Sequence, residues 1–501
     1  MKNEFVTITL SNGETQSFAL DVKELELKDN SSIENLEAFI SLQNLEKITL
    51  INCEKLNDLS AIGSFKKLRV LSLENCNVLV DLSPVDMVTS LEKLKCIEFR
   101  DLKILETLKE NTKVKSIDIL EDRKCFTGFS KTYPNLLSIY FKTQNLIDLK
   151  PLESLSNLKC LALYYCNSIS NLNSIGKLNE LNEIQLYQCN TIKEIEILTR
   201  LKNLKIIDLS YCAKLKNVDA VFAIKKLEAF YIQECNSMKS IHLNSPHKLK
   251  RLSLNSNRKL EEIVGFHNLI KIKFLQIEDC NLFSAFENIS LLKTLEKLEL
   301  LENKKLKSLS FITNLGKLKS LRVWSSYALK SLDCFTKCHQ LEELSIYKAD
   351  IKTLKGFENL INLRHLNLGN FHNLKSLDFL SRCTKINDIS FYSCTSLEDM
   401  SVIKNFKNLK ELTIDTNNLI ENIDFLSHLK NLEIIQLTYC NAIRSIAPLI
   451  KLNKIKSLII NHCYGFTDLH LLKTLKVQSD IGVCYNDEMG IPRTIEIDYN
   501  N

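Results

Sequence analysis

A step of 23 residues governs this chain. The frame L-x-x-L-x-L-x-x-C is read at Leu158, Leu161, Leu163 and Cys166, and again at Leu181, Ile184, Leu186 and Cys189. It returns at Leu204, Ile207, Leu209 and Cys212, and at Leu227, Phe230, Ile232 and Cys235. Extended both ways, it gives 20 copies, the first starting at Val22 and the last at Ile455, nearly all 22 or 23 residues apart. Two steps depart: 26 residues from Leu68 to Leu94, and 20 from Leu94 to Val114. A further copy near Leu475 is degenerate. Such a unit is too short to enclose a core of its own and buries its apolar face only against its neighbours. A chain of 501 residues would otherwise suggest several domains. With 11 Gly and 6 Pro it lacks the turn-rich linkers that would separate them.

Within each copy, alternation at positions 4 and 6 predicts a short strand with one buried face. Position 9 turns inward where the strand ends, and a Cys or Asn there can satisfy backbone groups of the turn. Ten copies place Cys there: Cys53, Cys76, Cys166, Cys189, Cys212, Cys235, Cys280, Cys394, Cys440 and Cys463. Four place Asn: Asn30, Asn257, Asn303 and Asn417. Apolar residues then recur every third position, as at Ile169, Leu172, Ile175 and Leu178, which suits a 3₁₀-like return. The whole chain resembles the leucine-rich repeat family, with repeats similar to those of plant resistance receptors and bacterial internalins. The resemblance implies an α/β-type solenoid. Its parallel sheet would line the concave face of a curved arc, with 3₁₀, short helical or irregular returns on the convex side.

Open solenoid ends need caps. Alternation on both sides of Asn12-Gly13 predicts a β-hairpin cap over residues 1–21. Repeats then fill 22–477, and 478–501 form a C-terminal cap or tail. The irregular stretch 85–134, with Glu121-Asp122-Arg123-Lys124, is expected to kink the arc or carry a loop.

Positions 3, 5, 7 and 8 are expected to face the concave side or its rim. These 80 positions hold nine of the 14 tyrosines, where chance would place about two. They are Tyr140, Tyr164, Tyr165, Tyr187, Tyr211, Tyr231, Tyr347, Tyr392 and Tyr439, and the only tryptophan, Trp324, joins them. One cluster spans five consecutive repeats from Tyr140 to Tyr231, and another holds Trp324, Tyr347 and Tyr392. Tyrosine suits strands in general, but that preference does not explain clustering; large rigid amphipathic rings are the material of binding hot spots. The same positions carry 19 acids and eight bases, densest at Glu278, Asp279, Glu299 and Glu302. Position 2 carries 12 bases and five acids, Lys159, Lys205 and Lys250 among the bases. An acidic face disfavours nucleic acid within the concavity and favours a protein partner with a basic or mixed surface.

Candidate chemistry is weak at each point. Cys334-x-x-x-Cys338-His339 has metal-ligating residue types, yet Cys338 occupies a core slot shared with Leu178 and Cys383. Gly316-Lys317 ends like a phosphate-binding loop, but Phe311 stands where its first glycine belongs. His365 and His462 belong to the exposed face rather than to a catalytic pair. No cofactor, metal or catalytic residue is expected. Residues outside the repeats are too few for a fused catalytic domain. No signal segment and no apolar run of membrane-spanning length is read, so a cytoplasmic chain with reduced thiols is expected. The reading is a non-catalytic protein-binding solenoid of inhibitor, immunity or adaptor type. An effector acting on a target from another organism, and an enzyme with a carboxylate site across strands, are weaker alternatives.

Overall fold

The computed structural model describes residues 5–9, 13, 15–99, 107, 113–120, 135–144, 146–348, 351–475, 482–486 and 492–496. The chain divides into two compact units, Met1–Leu249 and Lys250–Asn501. The first opens with an antiparallel hairpin of Phe5–Thr9 and Thr15–Ala19. Ten parallel strands follow in chain order, from Glu24–Lys28 to Ala229–Gln233. The second unit carries ten more, from Arg251–Asn255 to Ser457–Asn461. Its last repeat strand pairs in parallel with Gly482–Asn486, which turns back antiparallel onto Pro492–Glu496. Both ends of the repeat array therefore carry a hairpin. Of the irregular stretch 85–134, expected to kink the arc or carry a loop, residues 100–106, 108–112 and 121–134 lie outside the described residues.

Each repeat strand comprises positions 3 to 7, except Ile206–Asp208, which covers positions 3 to 5, and positions 4 and 6 are buried. In Glu183–Tyr187, for example, Ile184 and Leu186 have no exposed surface while Glu183, Gln185 and Tyr187 face outward. Between strands the chain returns through 3₁₀ turns such as Asn173–Lys177 and Glu196–Arg200. An Asx or Ser side chain opens many of them by accepting the N–H two residues on, as Asp58 does from Ser60 and Asp399 from Ser401.

The position-9 slot is a ladder. The Cys thiol donates to the position-6 carbonyl of the preceding repeat, as Cys189 does to Leu163 and Cys212 to Leu186, both at 3.4 Å. Asn303 makes the same bond to Ile277 at 2.7 Å and also accepts from the Cys280 N–H. Burial raises the pKa of the Cys235 and Cys280 thiols to about 12, so these cysteines are inert core donors.

Two features correct the sequence frame. The strand Lys93–Ile97 buries Leu94 and Cys96, so its repeat starts at Leu91 and Leu94 is position 4. The 26- and 20-residue steps thereby become two of 23. Cys96 at position 6 and Phe99 at position 9 had removed both usual marks of the frame. Second, every non-glycine residue with positive φ among the described residues sits at position 8, 18 of them, with φ between 45° and 61°. This left-handed step is disfavoured for L-residues by roughly 1–2 kcal/mol. It is held because the position-8 N–H reaches the position-7 carbonyl of the next repeat, as Tyr165 does to Tyr187 at 2.8 Å.

One buried histidine replaces the apolar residue that closes other repeats. His247 is 3% exposed; its Nε2 donates to the Ile224 carbonyl at 2.9 Å and its Nδ1 accepts from the Leu249 N–H at 3.0 Å. Burial lowers its pKa below the ordinary 6.5. The fold thus favours the neutral ring, and its contribution is complete above the unfolded-state pKa. As pH falls below that value the unfolded chain takes the proton first and stability drops. Denaturant midpoints measured from pH 7.5 down to 5.5 should fall, and His247→Leu should flatten the decline; an unchanged slope would contradict this assignment.

Candidate interaction face

The sheet face of the first unit holds a continuous run of tyrosine rings. Tyr140 meets Tyr164 at 4.6 Å between ring centroids, Tyr164 stacks on Tyr187 at 5.2 Å and 21°, and Tyr187 meets Tyr211 at 4.7 Å. Tyr165, on the left-handed step, meets Tyr187 edge-on at 5.8 Å. Because position 7 recurs on neighbouring strands in register, Tyr164 and Tyr187 are directly paired residues. Parallel strands lie about 4.8 Å apart, which is ring-stacking distance. Amides fasten the run: Tyr164 Oη donates to Gln185 at 2.7 Å, and Gln233 donates to Tyr211 Oη at 2.9 Å. Burial raises the pKa of Tyr140, Tyr164 and Tyr187. Tyr231 occupies position 5 of the next strand, paired with Asp208 rather than stacked in the run.

In the second unit Trp324 meets Tyr347 at 5.1 Å, and the Arg322 guanidinium lies 4.9 Å over the indole. The buried Trp324 Nε1–H has no hydrogen-bond partner among the described residues. Tyr347 reaches Tyr392, two strands away, at 5.8 Å. It does so across Gly369, whose missing side chain makes the room: a Cβ there would lie 2.1 Å from Tyr347 Cδ1. Burial pushes the Tyr347 phenol up to about 12. Gly369→Ala should expel that ring, cost about 1–3 kcal/mol of stability and bring the phenol back toward 10. Unaltered stability together with an unaltered tyrosine titration would contradict it. Tyr439 stands apart, stacked on His462 at 4.5 Å and 4°. His365 contacts Asp388 at 3.5 Å.

The four acids read as the densest patch are brought together but do not form a bare anionic surface. Glu299 is 6% exposed and is met by Lys297 at 3.1 Å and Arg322 at 3.4 Å. Arg258 meets Asp279 at 2.9 Å. Glu278 accepts from Gln276 and Asn255. Its carboxyl is pushed up by burial first, then by Glu302, Glu299 and Asp279. Glu302 is the exposed member of the four. With the corrected repeat, which exchanges Arg100 and Asp101 for Lys93 and Lys95, the sheet positions hold 18 acids and nine bases.

The edge at position 2 is likewise not simply basic. The corrected frame places Glu92 there in place of Lys95, and bases alternate with acids. Lys23 pairs with Glu46, Arg69 and Lys115 with Glu92, Lys273 with Glu296, Lys319 and Arg364 with Glu342, and Lys456 with Glu433. A cleft of about 810 Å³ at this edge is lined by Glu46, Lys67, Arg69, Glu92, Lys113 and Lys115 among others. Counting charges by position could not reveal the pairing; the alternation of sign down the position-2 column was the available signal.

Cys338 is buried, its thiol donating to the Cys334 carbonyl at 3.5 Å. Phe311 is buried in the core. No group of three metal-ligating side chains occurs among the described residues. No helix among them is long and apolar enough to cross a membrane.

Family comparison agrees with this geometry. Residues 135–264 and 209–285 match the profile of the BspA type leucine rich repeat region, and residues 407–451 match leucine rich repeats. Residues 135–285 and 407–451 are leucine-rich repeats. No curated protein matches it. Among solved structures, a leucine-rich repeat protein of Leptospira interrogans is 17% identical over 83% of this chain and 95% of its own, with a TM-score of 0.48. An internalin of Listeria monocytogenes is 16% identical over 84% and 89%, with a TM-score of 0.25. TLR13 in a complex with ssRNA is 15% identical over 91% and 85%, with a TM-score of 0.47. Leucine-rich repeats generally mediate protein–protein interaction, and the sheet positions hold nine of this chain's 14 tyrosines and its tryptophan.

Proposed function

We propose that this leucine-rich repeat chain is a non-catalytic scaffold that holds a protein partner on its sheet face. The observation that carries the reading is the stacked run from Tyr140 to Tyr211: five rings, half-buried and prearranged on a rigid sheet. Prearranged rings lose little conformational freedom on binding, so the contact area they offer is retained as affinity. Trp324, Tyr347 and Tyr392 extend the same design in the second unit. Tyr231, Tyr439 and the acids Glu278, Asp279, Glu299 and Glu302 belong to the proposed contact surface as its polar surroundings. A basic or mixed partner surface fits the excess of acids on the sheet positions, and phosphate backbones do not. Nearly all the described cysteines are buried, and they donate to backbone carbonyls as thiols. This supports a cytoplasmic setting in which thiols stay reduced.

The test is affinity capture from native extract by the wild type beside a folded variant with Tyr164, Tyr187, Trp324 and Tyr347 changed to alanine. A protein retained by the wild type and lost by the variant supports the reading. Equal retention by both moves the site off the sheet face.

A further inference from the structure

Resting on that reading, the structure also distinguishes which part of the face is electrostatically unsatisfied. The four repeats from Leu158 to Glu234 present 16 side chains at positions 3, 5, 7 and 8. Five are tyrosines (Tyr164, Tyr165, Tyr187, Tyr211 and Tyr231), three are acids (Glu183, Asp208 and Glu234) and none is a base. Among the described residues none of these three acids has an ion pair, unlike Glu299 and Asp279 in the apparently denser patch. Asp208 is the notable member. It sits at position 5, half-buried, paired across the sheet with Gln185 on one side and Tyr231 on the other. Its Oδ1 accepts a hydrogen bond from Ser210 Oγ at 2.5 Å. A half-buried carboxylate without a cation is costly to maintain and calls for one.

We propose that this tyrosine tract seats an arginine side chain of the protein partner, with Asp208 as its counter-ion and the tyrosine rings as its walls. Charge complementarity selects a cation, and the rings select its shape. A planar guanidinium can lie against a tyrosine face while its N–H groups reach a carboxylate, which a compact ammonium does less well. A neutral sugar could use the same rings but gives Asp208 no counter-charge. Burial, and then Glu183, push the Asp208 carboxyl above its ordinary range. A bound guanidinium would reverse that shift.

The experiment titrates the full chain with a capped peptide carrying two arginines in a Gly/Ser background. A twin peptide with glutamine in their place and a neutral maltoheptaose are titrated in parallel. The arginine peptide should bind saturably, at least about tenfold tighter than the glutamine peptide, and should weaken with salt. Asp208→Asn should remove that preference, whereas Glu194→Gln plus Glu196→Gln, exposed acids on the return between strands, should leave it intact. Asn matches Asp in shape, and an unchanged thermal midpoint confirms that the variant is folded. Equal binding of the two peptides, preference for the sugar, no saturable arginine-peptide binding, or an intact preference in Asp208→Asn would each overturn the proposal. The natural partner separates the two readings. A protein lost by the tyrosine variant but held equally by wild type and Asp208→Asn would leave the scaffold function standing and remove the arginine seat.

Discussion

Leu186→Ala should lower the stability of the chain by about 2–5 kcal/mol. Leu186 is position 6 of its repeat, has no exposed surface, and its carbonyl receives the Cys212 thiol. It lies in register between Leu163 and another repeat's apolar layer, so truncation opens a cavity that neighbours fixed by strand pairing cannot collapse to fill. In a repeat array each unit leans on its neighbours, and the loss is expected as earlier melting of the repeats around it. Chemical denaturation of the purified variant checks it. A midpoint within experimental error of wild type would mean that positions 4 and 6 do not form the core.

Tyr164→Ala with Tyr187→Ala should instead leave the fold intact and reduce partner affinity steeply. Each ring truncated at a hot spot costs about 2 kcal/mol or more, and two together correspond to roughly a thousandfold in Kd. The rings stack at 5.2 Å, so the single substitutions will not sum to the double. The expected signature is a double variant with a wild-type denaturation midpoint and a partner Kd in the micromolar range if the wild type is nanomolar. An affinity change below about threefold would remove these rings from the interface.

The contrast between two adjacent residues, Leu186 and Tyr187, states how far the sequence carries. Periodic leucines fix which side chains point inward, so the strand frame and the position-9 ladder were legible from spacing. Legibility failed where the marks were replaced. At Leu91, a Cys at position 6 and a Phe at position 9 shifted the frame by three residues. The ring clusters could be counted, but their stacking depends on register between strands 23 residues apart, and the role of Gly369 depends on what is absent from a side chain. The electrostatics were the least legible. Glu299 counts as one negative charge in the sequence, yet Lys297 and Arg322 neutralise it in space. Asp208 also counts as one and has no cation. The position-8 left-handed step was likewise invisible, because residues as varied as Tyr211, Lys348 and Thr416 adopt it without the glycine that would have marked it.

The most direct measurement is hydroxyl-radical footprinting of the chain alone and with its captured partner, read residue by residue. Protection should concentrate on Tyr164, Tyr187 and Tyr211, with Tyr327 and Tyr464, exposed and away from the stacked run, unchanged. Protection confined to the residues of the charged edge cleft, with the tyrosine run as reactive as in the free chain, would contradict the account.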